Sequence, residues 1–227
     1  MLYSRSIAGI TALLLAMLAQ TAAATRYHPV EHYCADYKVS GMEKGTYRTC
    51  QVDYGVRKYE KRDTKIGIGP FKQTQKSHVI TVVVGEGRQQ IYTLQKGKAQ
   101  VVDNPAGPML QAMEGKDPED IGQTFMQAMD YRALNKTKTV NGVLCNQFRS
   151  TMAGLLCMTP DWIIVEQDFM GQKTVLQSLS REPLSAEDQE RLDPESWGVP
   201  IKEGPDIGNI MRQLGGATSQ MDEAAQP

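Results

Sequence analysis

Runs of β-branched and aromatic residues bounded by glycine recur along the chain, at Val56–Lys61, Ser77–Val84, Gln89–Leu94, Ala99–Val102, Trp162–Glu166 and Lys173–Ser180. Short runs of that kind predict strands, and the breaks at Gly85-Glu86-Gly87 and Lys96-Gly97 predict hairpin turns between them. Successive strands joined by short turns make an antiparallel meander. Between residues 103 and 135 the period becomes helical. Ile121, Phe125, Ala128 and Met129 form a stripe at helical spacing, Asp117 supplies a cap, and Pro118 suits the first helical position. A shorter apolar helix is expected over Pro108–Met113. After Ser180 comes an acidic, proline-punctuated stretch with a short helix from Ala186. Asp206-Ile207 then opens a last small helix that ends near Gly215-Gly216, and residues 217–227 read as disordered.

The first 24 residues follow a different logic. Arg5 gives a positive start, Ile7–Leu18 is a 12-residue apolar run, and Ala22-Ala23-Ala24 offers the small residues a signal peptidase reads. This is a secretory signal. The run falls short of the roughly 20 residues a bilayer span needs and no second one follows, so no membrane span is expected in the mature chain. No cysteine stands at the cleavage boundary to take a lipid anchor. The expected organisation is a signal at 1–24, one domain at 25–204 with a helical insert at about 105–132, and a short helix with an acidic tail at 205–227.

An exported chain meets oxidising conditions, and its four cysteines lie at 34, 50, 145 and 157. Three connectivities exist on paper. Local sequence favours Cys34–Cys50 and Cys145–Cys157, because each pair brackets one turn between two strand-like runs. With Cys34 opposite Cys50, Asp36 faces Arg48, Tyr37 faces Tyr47 and Lys38 faces Thr46. One face then carries the disulfide and an ion pair, and the other carries Ala35, Tyr37, Val39 and Tyr47. In the second hairpin the same logic sets Asn146 opposite Leu156 and Phe148 opposite Gly154. Zinc is the rival reading, but no two cysteines stand in a close pair such as C-x-x-C.

The chain holds 25 basic and 26 acidic residues, and the signal accounts for one basic residue, which leaves the remainder at net −2. That balance gives no reason to expect nucleic acid. The distribution is less even: residues 56–98 hold ten Lys/Arg against three Asp/Glu, and residues 182–223 hold the reverse, ten acidic against three basic. Such a split fits an acidic segment lying near the basic strands, two solvated faces, or attraction of the basic strands to an anionic membrane surface.

Recognisable chemistry is scarce. The sequence contains no G-x-S-x-G elbow, P-loop, dinucleotide fingerprint, H-E-x-x-H or C-x-x-C, and disulfide-bonded cysteines make no nucleophile. No enzyme, cofactor or metal is expected. His78 opens an apolar strand and reads as structural. His28 and His32 flank Glu31, but Pro29 biases His28 away from the helical geometry that would align the two imidazoles, so an exposed N-terminus without function is expected. Met109, Met113, Met126 and Met129 crowd the helical insert. They suit an ordinary core, a greasy ligand lining, or, at Met126-x-x-Met129, a soft Cu(I) pair.

A tyrosine-rich opening hairpin, the run Gly55-Val56-Arg57-Lys58-Tyr59, long meandering strands, and a helix inserted before Asn141-Gly142-Val143-Leu144-Cys145 together resemble the LolA/LolB-like superfamily of periplasmic lipoprotein carriers. The resemblance implies a mainly β (α+β) fold: a strongly curved antiparallel half-barrel closed by helices, whose concave apolar surface receives lipid acyl chains. Arg57 lies on an early strand, as does the arginine that holds the family carrier's lid closed, but that role is not carried over. The implied function is a non-enzymatic periplasmic carrier of a lipid-like or hydrophobic ligand. Its lining candidates are Met109, Leu110, Met113, Ile121, Phe125 and Met129 from the insert, with Val82, Val84, Ile91 and Tyr92 from the strands. The alternative is an envelope interaction or scaffold protein that docks a partner through its basic strands or acidic tail.

Overall fold

The computed structural model describes residues 26–68, 71–85, 88–104 and 115–205. The signal segment, the Pro108–Met113 helix and the last helix lie outside them. The strands are β1 (Tyr33–Ser40), β2 (Glu43–Val52), β3 (Arg57–Ile68), β4 (Phe71–Val83), β5 (Gln89–Gln95), β6 (Lys98–Asp103), β7 (Arg132–Val140), β8 (Val143–Ser150), β9 (Gly154–Met158), β10 (Ile164–Phe169), β11 (Gln172–Ser180) and β12 (Ile201–Glu203). Among the described residues two α-helices accompany them, α1 (Pro118–Ala128) and α2 (Ala186–Glu190). All twelve strands join one open curved sheet in the order β12-β6-β5-β4-β3-β2-β1-β11-β10-β9-β8-β7. Neighbours run antiparallel except β12, which runs parallel to β6.

The register sorts side chains onto two faces. Cys34, Cys50, Tyr59, Ile80, Tyr92 and Val101 stand side by side across β1 to β6. This row is buried because the C-terminal segment lies on it, with Leu184, Leu192 and Trp197 packed against Tyr59 and Ile80. The other face of β1 presents Ala35 and Tyr37 to a second cluster with Ile163, Val165, Leu176 and the Cys145–Cys157 bridge. Strand β1 is thus buried on both faces in its first half, where clusters pack on either side. The predicted register of the first hairpin is the observed one, with Asp36 opposite Arg48 and Tyr37 opposite Tyr47. Both predicted disulfides form. Each closes a short loop, which limits the unfolded chain by about 3 kcal/mol in the chain-entropy account.

Three expectations are corrected. In the second hairpin Phe148 faces Leu156 and Ser150 faces Gly154, two positions from the predicted pairing, so Cys145 and Cys157 meet diagonally. The cause lies in the turn. The Ser150 Oγ accepts from the Met152 and Ala153 amides and donates to the Met129 carbonyl, which holds Ser150 in the strand and confines the loop to the three residues between Ser150 and Gly154. Second, the helical stretch ends early: Arg132 already belongs to β7, an edge strand whose residues are nearly all exposed and therefore carry no apolar alternation. Third, the segment before β1 is not a free end. Tyr27 N donates to Tyr54 O, Tyr54 N donates to Glu31 O, and Val30 packs on the Tyr33 and Tyr37 cluster, leaving His28 and His32 half-buried.

Helix α1 starts as predicted, with the Asp117 carboxylate accepting from Glu119 N and Pro118 in the first turn. It buries Met126 against Leu156 and Met158, with Phe148, Trp162 and Ile164 around them. Gly122 stands so near Trp162 that a Cβ there would meet the indole at 2.5 Å.

Candidate functional site

Beyond the covered row, on the same face, the register sets Asp36, Arg48, Lys61, His78 and Leu94 side by side across β1 to β5. The next row toward the hairpin tips holds Thr46, Asp63 and Lys76, with Lys96 just past the end of β5. The C-terminal cover leaves part of this face open, as a cleft of about 970 Å³ bordered by these residues and by Arg191 of the cover.

One wall of the cleft is a fixed charge network. Asp188 of α2 is buried, and its carboxylate accepts from Arg48 Nε and Nη2 at 3.2 and 3.0 Å, Tyr59 OH at 2.5 Å, Ser185 Oγ at 2.9 Å and Arg191 Nη1 at 3.1 Å. Burial alone would raise its pKa, but the bonds from Arg48, Tyr59 and Ser185 outweigh it and hold the carboxyl well below the usual range. Arg48 also reaches Asp36 at 2.7 Å, and Asp36 accepts from Ser178 Oγ at 2.6 Å. The hydrogen bonds from Arg48 to Asp188, and those to Asp36, push its own pKa upward against burial. This carboxylate has four different donors on it and no free role as a base.

The floor is different. Burial lowers His78 to about 4, although a backbone hydrogen bond at Arg191 acts the other way. The Trp197 Nε1 donates to His78 Nδ1 at 3.1 Å. At neutral pH His78 is therefore an uncharged ring beside Leu94. Lys76 pairs with Asp63 at 3.0 Å, and both are exposed, so the pair is worth little. Lys61 and Lys96 form no ion pair with any described residue. The cleft thus joins an apolar patch to uncompensated positive charge.

None of the described lining candidates borders this cleft. Val82 and Tyr92 are half-buried under the C-terminal segment. Ile91 points to the opposite face from Tyr92, as neighbours in a strand must, and Val84 is exposed just past β4. Ile121, Phe125 and Met129 lie on or beside α1, where Phe125 is exposed and Met126 fills the core. Met109, Leu110 and Met113 lie outside the described residues. Arg57 pairs with Asp53 at 3.0 Å. Among the described residues one group of potential metal ligands converges, Cys34, Cys50 and Asp188, but its sulfurs are tied in a disulfide and offer no thiolate.

The cleft lysines were not singled out in the sequence, although a signal was there. Lys61 and Lys65 are four apart, as are Lys72 and Lys76, and even spacing in a strand means one face; of these four, Lys61 and Lys76 border the cleft. The second carboxylate network is structural as well: buried Glu166 accepts from Lys138 and from Lys173, the latter at 2.7 Å, and these bonds hold its pKa low against its burial.

No family model matches the chain, and no curated protein matches it by sequence. Among solved structures, an uncharacterised conserved protein from Thermus thermophilus aligns over 78% of this chain and 92% of its own, with a TM-score of 0.44 and 7% identity. MucB aligns over 74% of this chain and 58% of its own, with a TM-score of 0.34 and 12% identity. Both likenesses are remote, and neither identifies a ligand.

Proposed function

We propose that this protein is a non-enzymatic periplasmic binding or carrier protein for a lipid-like amphiphile with an anionic group. The carrying observation is the cleft itself. It sets Leu94 and the neutral ring of His78 beside Lys61 and Lys96, two cations without an ion-pair partner among the described residues, in a space sized for a small ligand. The anionic group meets the lysines, and the apolar part lies along Leu94, His78 and the lysine stems. Two disulfides fit an extracellular or periplasmic location. Among the described residues no helix is long and apolar enough to cross a membrane. The resemblance of the sequence to lipoprotein carriers, in element order and strand character, fits the same reading.

Calorimetric titration with lysophosphatidylglycerol below its micelle threshold tests the assignment. The expected result is saturable one-site binding, weaker for the uncharged monoacylglycerol of equal chain length. The Lys61→Glu/Lys96→Glu variant is expected to lose roughly tenfold or more in affinity, since two attractions become repulsions. Absence of saturable binding, or equal affinity in that variant, overturns it.

A further inference from the structure

Among the described residues five large apolar side chains are exposed along one rim of the sheet, at the end where β1, β3, β8 and β10 finish. They are Met42 in the β1–β2 turn, Ile66 near the end of β3, Met152 in the β8–β9 turn, and Phe169 and Met170 at the β10–β11 turn. These positions are neighbours in space. Glu43 N donates to Gln172 Oε1 at 3.0 Å and Gln172 Nε2 donates to Glu43 O at 3.1 Å, which ties the first tip to the β10–β11 tip. Glu43 also stands opposite Ile66, and Leu155 stands opposite Asp168, which brings the Met152 turn beside Phe169.

Met170 is the most telling of the five. It is 84% exposed and begins the two-residue turn Met170-Gly171, whose φ values are 51° and 77°. Such turns favour asparagine or glycine at the first position. The turn at Asn141-Gly142, with φ values of 48° and 82°, has the asparagine. A methionine at Met170 suits neither the backbone nor any packing, so the fold supplies no reason for it.

Positive charge lies just behind the rim. Lys44, Lys65 and Lys72 are exposed and form no ion pair with described residues, and Lys44 stands directly opposite Lys65. Like charges so placed cost stability unless something anionic meets them. The rim's acids are each beside a base: Glu43 with Arg62 at 3.5 Å, Asp63 with Lys76, Asp130 with Arg132 at 3.2 Å, and Asp168 opposite Lys173. Separate protruding apolar tips backed by unpaired lysines match the chemistry of a bilayer interface carrying acidic headgroups.

We propose that this rim docks the protein peripherally onto an anionic lipid bilayer, with the Met42, Met152, Phe169 and Met170 side chains entering the boundary between headgroups and acyl chains. Lys44, Lys65 and Lys72 face the acidic headgroups. The inference rests on the hairpin tips and stands independently of the cleft.

Co-sedimentation with vesicles of equimolar phosphatidylcholine and phosphatidylglycerol, against pure phosphatidylcholine, tests it. The protein is expected to bind the anionic vesicles more tightly and to lose binding as salt is added. Met170→Asn, which suits the turn and should melt no lower than the parent, is expected to weaken binding about tenfold, the value of one methionine side chain withdrawn from water. Each of Lys44→Glu and Lys65→Glu should cost about fivefold or more. Leu144→Asn, which removes a residue 58% exposed at the opposite end of β8, serves as the control and should change nothing. Failure of the parent to bind anionic vesicles, undiminished binding by Met170→Asn, or an equal loss in Leu144→Asn overturns the proposal. Lysophosphatidylglycerol titration of Met170→Asn separates the two sites: a failed rim leaves it intact, whereas a failed cleft abolishes it in the parent too.

Discussion

Asp188 shows what a single side chain does here. It joins a five-residue helix to strands more than a hundred residues away, and so ties the acidic C-terminal segment to the basic half of the sheet. Replacing it by asparagine leaves Arg48 and Arg191 half-satisfied beside a buried amide. Asp188→Asn is therefore expected to lower stability at pH 7 by about 2–3 kcal/mol in urea unfolding. The sign with pH follows from the lowered pKa. A carboxyl more acidic in the folded state stabilises above its unfolded value near pH 4 and loses that contribution as the pH falls further, so parent and variant should converge in acid. The sequence pointed to opposite charge in the two regions. It could not single out Asp188 among ten acidic residues, because the choice depends on which helix turn meets Arg48.

At the scale of elements, legibility tracked how strongly the local pattern was constrained. Two cysteines and a turn fixed the register of β1 with β2, and a capping aspartate followed by proline fixed the start of α1. Where constraint was weak the reading slipped. Strand β7 lies at an edge with almost no buried residue, so it carries no period of two. The β8–β9 pairing turned on one serine side chain that binds three backbone groups. Helix α1 offers a test in which propensity and packing oppose each other. Gly122→Ala should gain about 1 kcal/mol of helix propensity, but its methyl would overlap the Trp162 indole, held in the Met126 and Leu156 cluster. A net loss of about 1–3 kcal/mol is expected, seen as a lower melting temperature.

For the whole molecule, the sheet keeps its two faces for different purposes. One face of β1 and its neighbours is closed by the strands beyond it. The other is covered by the C-terminal segment only in part, which leaves the basic cleft. The open curved sheet was legible through resemblance and strand order, and the excess of basic residues between 56 and 98 was legible in the count. Which residues border the cleft was not, since stripes of apolar residues look alike whether they face an open cleft, a core or the C-terminal cover. Val82 and Tyr92 turned out to face the cover. The most direct measurement of the central claim is amide chemical-shift mapping during titration with lysophosphatidylglycerol. Saturable shifts centred on Lys61, His78, Leu94 and Lys96 are expected. Saturable shifts centred elsewhere, or none, would contradict the account.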